Sequence, residues 1–369
     1  MAAPTVDAHM HVIPSDVLEL IRQGRHPAGI TLEANDGDLP TVVHQEGYRY
    51  PLEPAFHDEV ALLDALHGRG ARAAIVSPAP PLFGYDLERS VSIASARLTN
   101  DGVAAVTARH QGEIAGFGTL PLGSPADAVA ELTRAVSELG LLGAQIGPIA
   151  AGRWLDDPAL LPVLERAQDL GAVLFVHPYY TGPKPGLEDY YLTNLVGNPL
   201  DTALCAARLV LSGTLDQVPD LQFMLAHGGG YLPYQAGRLA HGNKVRPELG
   251  ICAKVPTDYL SRFLYDTILF DPISLRFLID RVGADRIVYG SDEPFDMSGG
   301  SITAQLDEAK LSAAEREAIV GGNIARATGF LAEAVGGGGG GGTGGGAGGW
   351  RPSEGAVVSW APPGGPGRL

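Results

Sequence analysis

The chain has 369 residues, 45% hydrophobic and 18% charged, which is length and apolar content enough for one large α/β core or two smaller ones. Lys and Arg number 26 against 42 Asp and Glu, a formal net charge of −16, so a basic face for nucleic-acid phosphates or anionic lipid is excluded and small molecules are the expected partners. The two cysteines, Cys205 and Cys252, build neither a disulfide framework nor a structural zinc site, and point to a reducing cytoplasm.

The chain opens on MAAPTVDAHMHV, without the charged start and long apolar run of a secretory signal, and no apolar stretch is long enough to span a bilayer. The first strand is expected over 6–12, VDAHMHV. Side chains on a strand alternate faces, so His9 and His11 point to one side and Asp7 is expected to share it. A long connection over about 15–70 follows, including GRHPAGITLEANDGDLPTVVHQEGYRYPLEP, the kind of insertion that forms a lid or binding loop. Seven more short apolar runs are expected as strands, over 71–78, 114–122, 141–148, 172–178, 221–229, 263–270 and 286–294. Helical patterns separate them, such as PADAVAELTRAVSELG and DPALLPVLERAQDLG, each with an acidic start, an apolar face and a Gly after its end.

Eight alternating units predict a (β/α)8 TIM barrel with a long insertion after the first strand. The alternative is an open doubly wound sheet, but HMHVIPSD after the first strand lacks the Gly-rich phosphate turn of that fold. From Ala334 the composition changes to AVGGGGGGGTGGGAGGWRPSEGAVVSWAPPGGPGRL, which cannot offset its ordering entropy. The expected organisation is therefore a barrel over 1–335 and a disordered Gly/Pro-rich tail over 336–369.

A barrel displays its chemistry at the C-terminal ends of its strands. There the sequence places His9 and His11 on the first strand, His177 on the fifth, His227 on the sixth and Asp292 on the eighth. One such histidine alone reads as a core residue; five metal-binding or proton-transferring groups at one mouth read as a site. Neutral imidazoles and a carboxylate suit Zn2+ or a similar divalent ion, with an open position for water or substrate. His9, His11, His177 and Asp292 are the expected ligands. His227 remains as an acid/base group able to work near neutral pH, with Asp292 also placed in the chemistry. Two-metal barrels of related layout carry a lysine on the fourth strand, where this chain reads GAQIGP and presents Gln145, so a single metal is expected.

At these residues the sequence resembles the amidohydrolase superfamily, in the branch typified by aminocarboxymuconate-semialdehyde decarboxylase. Besides DAHMH, the matching segments are HPYYTG, LVGNPLDTALCAARLVLSG, LAHGGGYLPYQAGRLAHG, LIDRVGADRIVYGSDEPFDM and GGNIARATGF, from Val6 to about Leu331. The resemblance implies a zinc, or manganese, site on the same four residues, with His227 as the acid/base group and no organic cofactor. It matches Arg49 to an arginine that holds a substrate carboxylate. It matches Arg238 to one that enters the neighbouring subunit's site, which implies a homodimer. The branch has tryptophans after the fifth strand where this chain has tyrosines. Tyr180, Tyr191 and Asn194, with Phe295, are therefore expected to shape a different substrate pocket.

Three readings follow. The first is a non-oxidative decarboxylase of a small unsaturated or aromatic carboxylic acid. The second is a hydrolase or hydratase of an amide, ester, lactone or enol on the same metal site. The third is a barrel that only binds a ligand, which would be a costly way to bury five polar groups.

Overall fold

The computed structural model describes residues 5–330, apart from 36–38, 45–46 and 183. The Gly/Pro-rich segment expected to be disordered lies outside the described residues. Eight parallel strands close a barrel: β1 (Val6–Val12), β2 (Ala73–Pro78), β3 (Ile114–Gly116), β4 (Gly143–Ile146), β5 (Val173–Val176), β6 (Gln222–Leu225), β7 (Phe263–Asp266) and β8 (Ile287–Val288). Continuous ladders join β1 to β3 and β4 to β8. Parallel bridges at Gly118/Ala144 and Met10/Glu293 join the two sets, so the barrel expected from eight alternating units is the fold observed.

All but the first of the expected strands are shorter in the ladder than their apolar runs, β3 and β8 most of all. Beyond β3, the backbone of Thr119 bonds on both its N–H and C=O to the Asn100 side chain, at 2.7 and 3.0 Å, so a helix side chain takes the place of a neighbouring strand. Beyond β8, the Tyr289 N–H donates to Ile319 O instead of to a strand.

The helices as far as β8 run α1 (Ser15–Arg22), α2 (Glu59–Gly68), α3 (Arg89–Arg109), α4 (Pro125–Ser137), α5 (Leu161–Asp169), α6 (Asn198–Leu211), the single turn α7 (Thr214–Gln217), α8 (Leu232–Val245) and α9 (Pro272–Val282), and shorter ones follow at Ile302–Glu308, Ala313–Glu317 and Asn323–Thr328. Their starts follow elementary capping chemistry. Asp58 accepts from Val60 N and Ala61 N ahead of α2, Asp271 accepts from Ser274 N ahead of α9, and Pro125 opens α4 where its missing N–H costs nothing. Among the described residues, no helix is long and apolar enough to cross a membrane.

The core has two layers. Val6, Ala8, Ala73, Ile75, Phe117, Phe175, Met224 and Leu264 fill the barrel's interior, while Met10, Val12, Ala74 and Val76 pack outward against the helices. Strand β1 changes phase between these layers. Asp7 pairs with Ala74 and Met10 with Val76, so Ala8 and His9 together oppose Ile75 in a bulge. Both Ala8 and His9 face inward, and His11 follows His9. Asp7 therefore does not share the face of His9, as strict alternation predicts; its Oδ1 instead accepts from the N–H groups of His9 and Ser291, each at 3.1 Å.

The insertion carries a sheet the sequence reading did not resolve, with short antiparallel strands at Thr31–Glu33, Thr41–Val43 and Arg49–Pro51. Ile30, Val42, Tyr50, Leu52 and Phe56 pack it onto Ile13, Leu18 and Leu82 beside the barrel mouth.

Candidate metal centre and active site

The ends of β1, β5 and β8 bring His9, His11, His177 and Asp292 together, with one ligand atom from each lying within 4.8 Å of the others. His11 Nε2 is 3.0 Å from both His9 Nε2 and Asp292 Oδ1; Asp292 Oδ1 is 3.3 Å from His9 Nε2 and 4.0 Å from His177 Nε2. All four residues are buried.

The outer nitrogens fix how these imidazoles face the centre. His9 Nδ1 donates to Asp266 Oδ2 at 2.8 Å, and His177 Nδ1 donates to Pro178 O at 2.6 Å. Gln145 Nε2 donates to Pro78 O, which turns its Oε1 toward the Ser77 hydroxyl; Ser77 Oγ in turn lies 3.2 Å from His11 Nδ1. With their protons held outward, three Nε2 lone pairs and a carboxylate oxygen converge on one point. His177 Nε2 is buried and, among the described residues, has no hydrogen-bond partner. A cation resolves this otherwise repulsive donor set, so the residues present fit a divalent metal ion.

Burial would raise Asp292, but His9, His11 and His227 outweigh it and hold the carboxyl well below its usual range. Burial pushes His11 down to about 4, and lowers His177 further with the help of the neighbouring histidines. His9 is the exception: burial lowers it, yet Asp292 and Asp266 on either side raise it to about 9. The two carboxylates thus favour positive charge at His9.

His227 stands beside this group, its Nε2 3.6 Å from Asp292 Oδ2. Its N–H donates to Asp266 Oδ2 at 2.9 Å, and the Gly228 N–H to Asp266 Oδ1 at 2.8 Å. Both His227 (φ 56°) and Asp292 (φ 66°) adopt left-handed backbone, a strained conformation for residues with a Cβ. Gly290 is required by close approach: a Cβ there would lie 2.7 Å from that of His9 and 3.2 Å from that of Asp266.

Asp266, at the end of β7, holds both His9 and His227 by hydrogen bonds and is not among the residues expected from sequence. Its run, FLYDTILF, is an expected strand over 263–270, and the lone acid in the middle of that apolar run is the available signal. Burial would raise its carboxyl, but the bond from His9 and the nearby charges hold it low.

The mouth opens into a cleft of about 270 Å3 lined by His177, His227 and Asp292 at its floor and by Tyr48, Tyr180, Tyr191, Asn194 and Phe295 on its walls. All four pocket residues expected from sequence line it. Tyr48 was not expected; its ring stacks on Tyr180 with centroids 5.7 Å apart. Arg49 sits at the rim, half-exposed, with its guanidinium engaged by Glu33 across the small sheet, on the far side of the strand Thr41–Val43. Arg238 is not brought to this chain's own cleft: it is exposed on α8 and has no ion pair or hydrogen bond among the described residues.

The chain belongs to the amidohydrolase family, whose sequence profile matches residues 6–330. It is 30% identical over 324 residues to 2-amino-3-carboxymuconate-6-semialdehyde decarboxylase of Dictyostelium discoideum, an alignment covering 86% of this chain and 89% of that protein. It is 31% identical over 246 residues to gamma-resorcylate decarboxylase of a Polaromonas species, covering 62% and 74%. The crystal structure of Metarhizium anisopliae IDCase in apo form superposes with a TM-score of 0.78 at 25% identity, covering 89% of this chain and 97% of that one.

Proposed function

We propose that this protein is a metal-dependent, non-oxidative decarboxylase of a small unsaturated or aromatic carboxylic acid. The observation that carries this reading is the inward-facing set of His9, His11, His177 and Asp292 at the floor of the cleft, with His227 beside it. The two relatives described above, both decarboxylases, support it.

A single zinc or manganese ion held by those four residues would supply positive charge to draw the substrate's carboxylate and to stabilise negative charge as the carbon–carbon bond breaks. Around it the chain's own groups do the rest. Arg49 swings from Glu33 to clamp the anionic end of the substrate, for which its planar fork is suited. Tyr180, Tyr191, Asn194 and Phe295 hold the unsaturated body in place. When the bond breaks, its electron pair stays on the substrate carbon and carbon dioxide leaves. His227 delivers a proton to the reacting centre from Nε2, with Asp292 Oδ2 positioned to steady the charged imidazole.

We further read the active form as a homodimer in which Arg238 enters the neighbouring cleft. Its exposure on α8, on one face with the exposed Tyr231 and Tyr234, supports this. The two unpaired cysteines, both buried, fit the cytoplasm.

The test combines metal analysis with carbon dioxide release from gamma-resorcylate, other hydroxybenzoates and carboxymuconate semialdehydes. The expected result is one bound ion per chain and release from at least one acid. The His227→Asn variant is expected to keep the ion and lose about 10²–10⁴ in kcat. A protein without an ion on these residues, or without release from any acid, refutes the reading.

A further inference from the structure

A second chamber meets the cleft at the reacting residues. Its volume is about 250 Å3, and it shares Asn194, His227 and Asp292 with the cleft. Its other walls are of opposite character. The cleft is lined by phenols and acids such as Tyr48, Tyr191, Glu188 and Asp296; the chamber is lined by Leu195, Pro199, Ile268, Leu269, Phe270 and Met297. Apart from the three shared residues, the described lining adds one polar side chain, the Tyr231 phenol, which donates to Val196 O at 3.4 Å. Leu195 is 46% and Phe270 53% exposed, so the chamber has an outer rim at the surface.

We infer that this chamber is the outlet that receives carbon dioxide as it leaves the substrate. The inference rests on the decarboxylase reading above and adds a separate path for each product. Decarboxylation splits one anion into products of opposite polarity. The carbon–carbon bond breaks, its electron pair remains on the carbon and is protonated, and the former carboxylate departs as a small, neutral molecule without a dipole. The phenolic cleft, still filled by the organic product, gives that molecule no room. The apolar chamber begins at the same His227 and Asp292 and favours a neutral occupant over water. Clearing carbon dioxide sideways keeps it from recombining with the carbanion before the proton arrives.

Two measurements test this. Crystals pressurised with carbon dioxide or xenon are expected to show density in the chamber between Leu195, Leu269 and Phe270; density confined to the phenolic cleft, or none in the chamber, overturns the inference. Leu195→Trp narrows the chamber at an exposed position and is expected to leave the thermal midpoint and metal content unchanged. During exchange of labelled carbon dioxide into an acid that the parent enzyme turns over, the variant is expected to raise the KM for carbon dioxide at least fivefold. Its KM for the organic acid should stay within twofold. A raised KM for the acid with an unchanged KM for carbon dioxide would show that the chamber holds part of the substrate, and so overturns the outlet. A parent that releases no carbon dioxide from any acid overturns both readings, an outcome told apart because it appears before any variant is made.

Discussion

Replacing Asp266 by Asn tests the reasoning at its most exposed point, because the change keeps the side chain's shape while it removes the charge and exchanges one acceptor oxygen for an NH2 donor. Asp266 Oδ2 accepts from His9 Nδ1 at 2.8 Å and from His227 N at 2.9 Å; Oδ1 accepts from Gly228 N at 2.8 Å and from Ile268 N at 3.1 Å. Four donors face two oxygens, so an amide turned either way sets its NH2 against two of them. Each buried donor left without a partner costs about 1–3 kcal/mol, so the metal-free protein should lose about 2–6 kcal/mol of stability before relaxation. If the NH2 faces His9, that imidazole loses the group that turns its Nε2 inward. Losing such a partner behind a metal-binding histidine typically weakens binding 10–100-fold, or about 1.4–2.8 kcal/mol. The assay is Mn2+ titration by calorimetry or chelator competition on parent and variant, with a thermal melt of each in chelator. A metal affinity within twofold of the parent's, in a variant that melts normally, would refute the claim that Asp266 orients His9.

Three further outcomes are expected. Arg49→Lys should raise the KM for the acid about tenfold with kcat and thermal midpoint little changed, since the guanidinium's two-point grip is lost while its exposed pairing with Glu33 adds little to stability; steady-state kinetics decides it. Gly290→Ala should weaken metal binding and lower stability by about 1–3 kcal/mol, because the new methyl would stand 2.7 Å from the His9 Cβ; a parent-like melt and metal affinity would count against the close packing described. Burial pushes His26 and His44 in the insertion down to about 4, with His26 also disfavouring charge on His44. Below pH 6.5 the unfolded chain takes up protons that the folded chain refuses until near pH 4. Stability should therefore be complete above about pH 6.5 and fall toward pH 4 by up to about 3 kcal/mol per histidine. Melts across that range should flatten in His44→Phe; parallel curves for parent and variant would contradict this.

Much of the barrel was legible because each strand is a short apolar run closed by turn residues, and each helix carries its own start and stop. The convergence of the candidate metal group was legible for a related reason: His9, His11, His177 and Asp292 fall at strand ends, where the fold itself brings side chains together. What stayed hidden depends on neighbours distant in sequence. Asp266 looks like a lone acid in an apolar run until β1 is set beside β7. Tyr48 gains its place from Tyr180, well over a hundred residues away. The shortening of β3 follows from one side chain on α3, Asn100, which no pattern in 114–122 could reveal. Arg49 was found by resemblance, yet its engagement with Glu33 depends on a small sheet whose pairing the loop's composition conceals.

The bulge in β1 has a consequence for how this strand can vary. By spending one extra residue opposite Ile75, it uncouples the two halves of a seven-residue strand. Val6 and Ala8 answer to the volume of the barrel's interior, while His9 and His11 answer to the geometry above them. Such a strand works as two independent units in series. Its lower half can drift through apolar substitutions without passing a rotation to the histidines, and its upper half can be rebuilt for another reaction without emptying the barrel below.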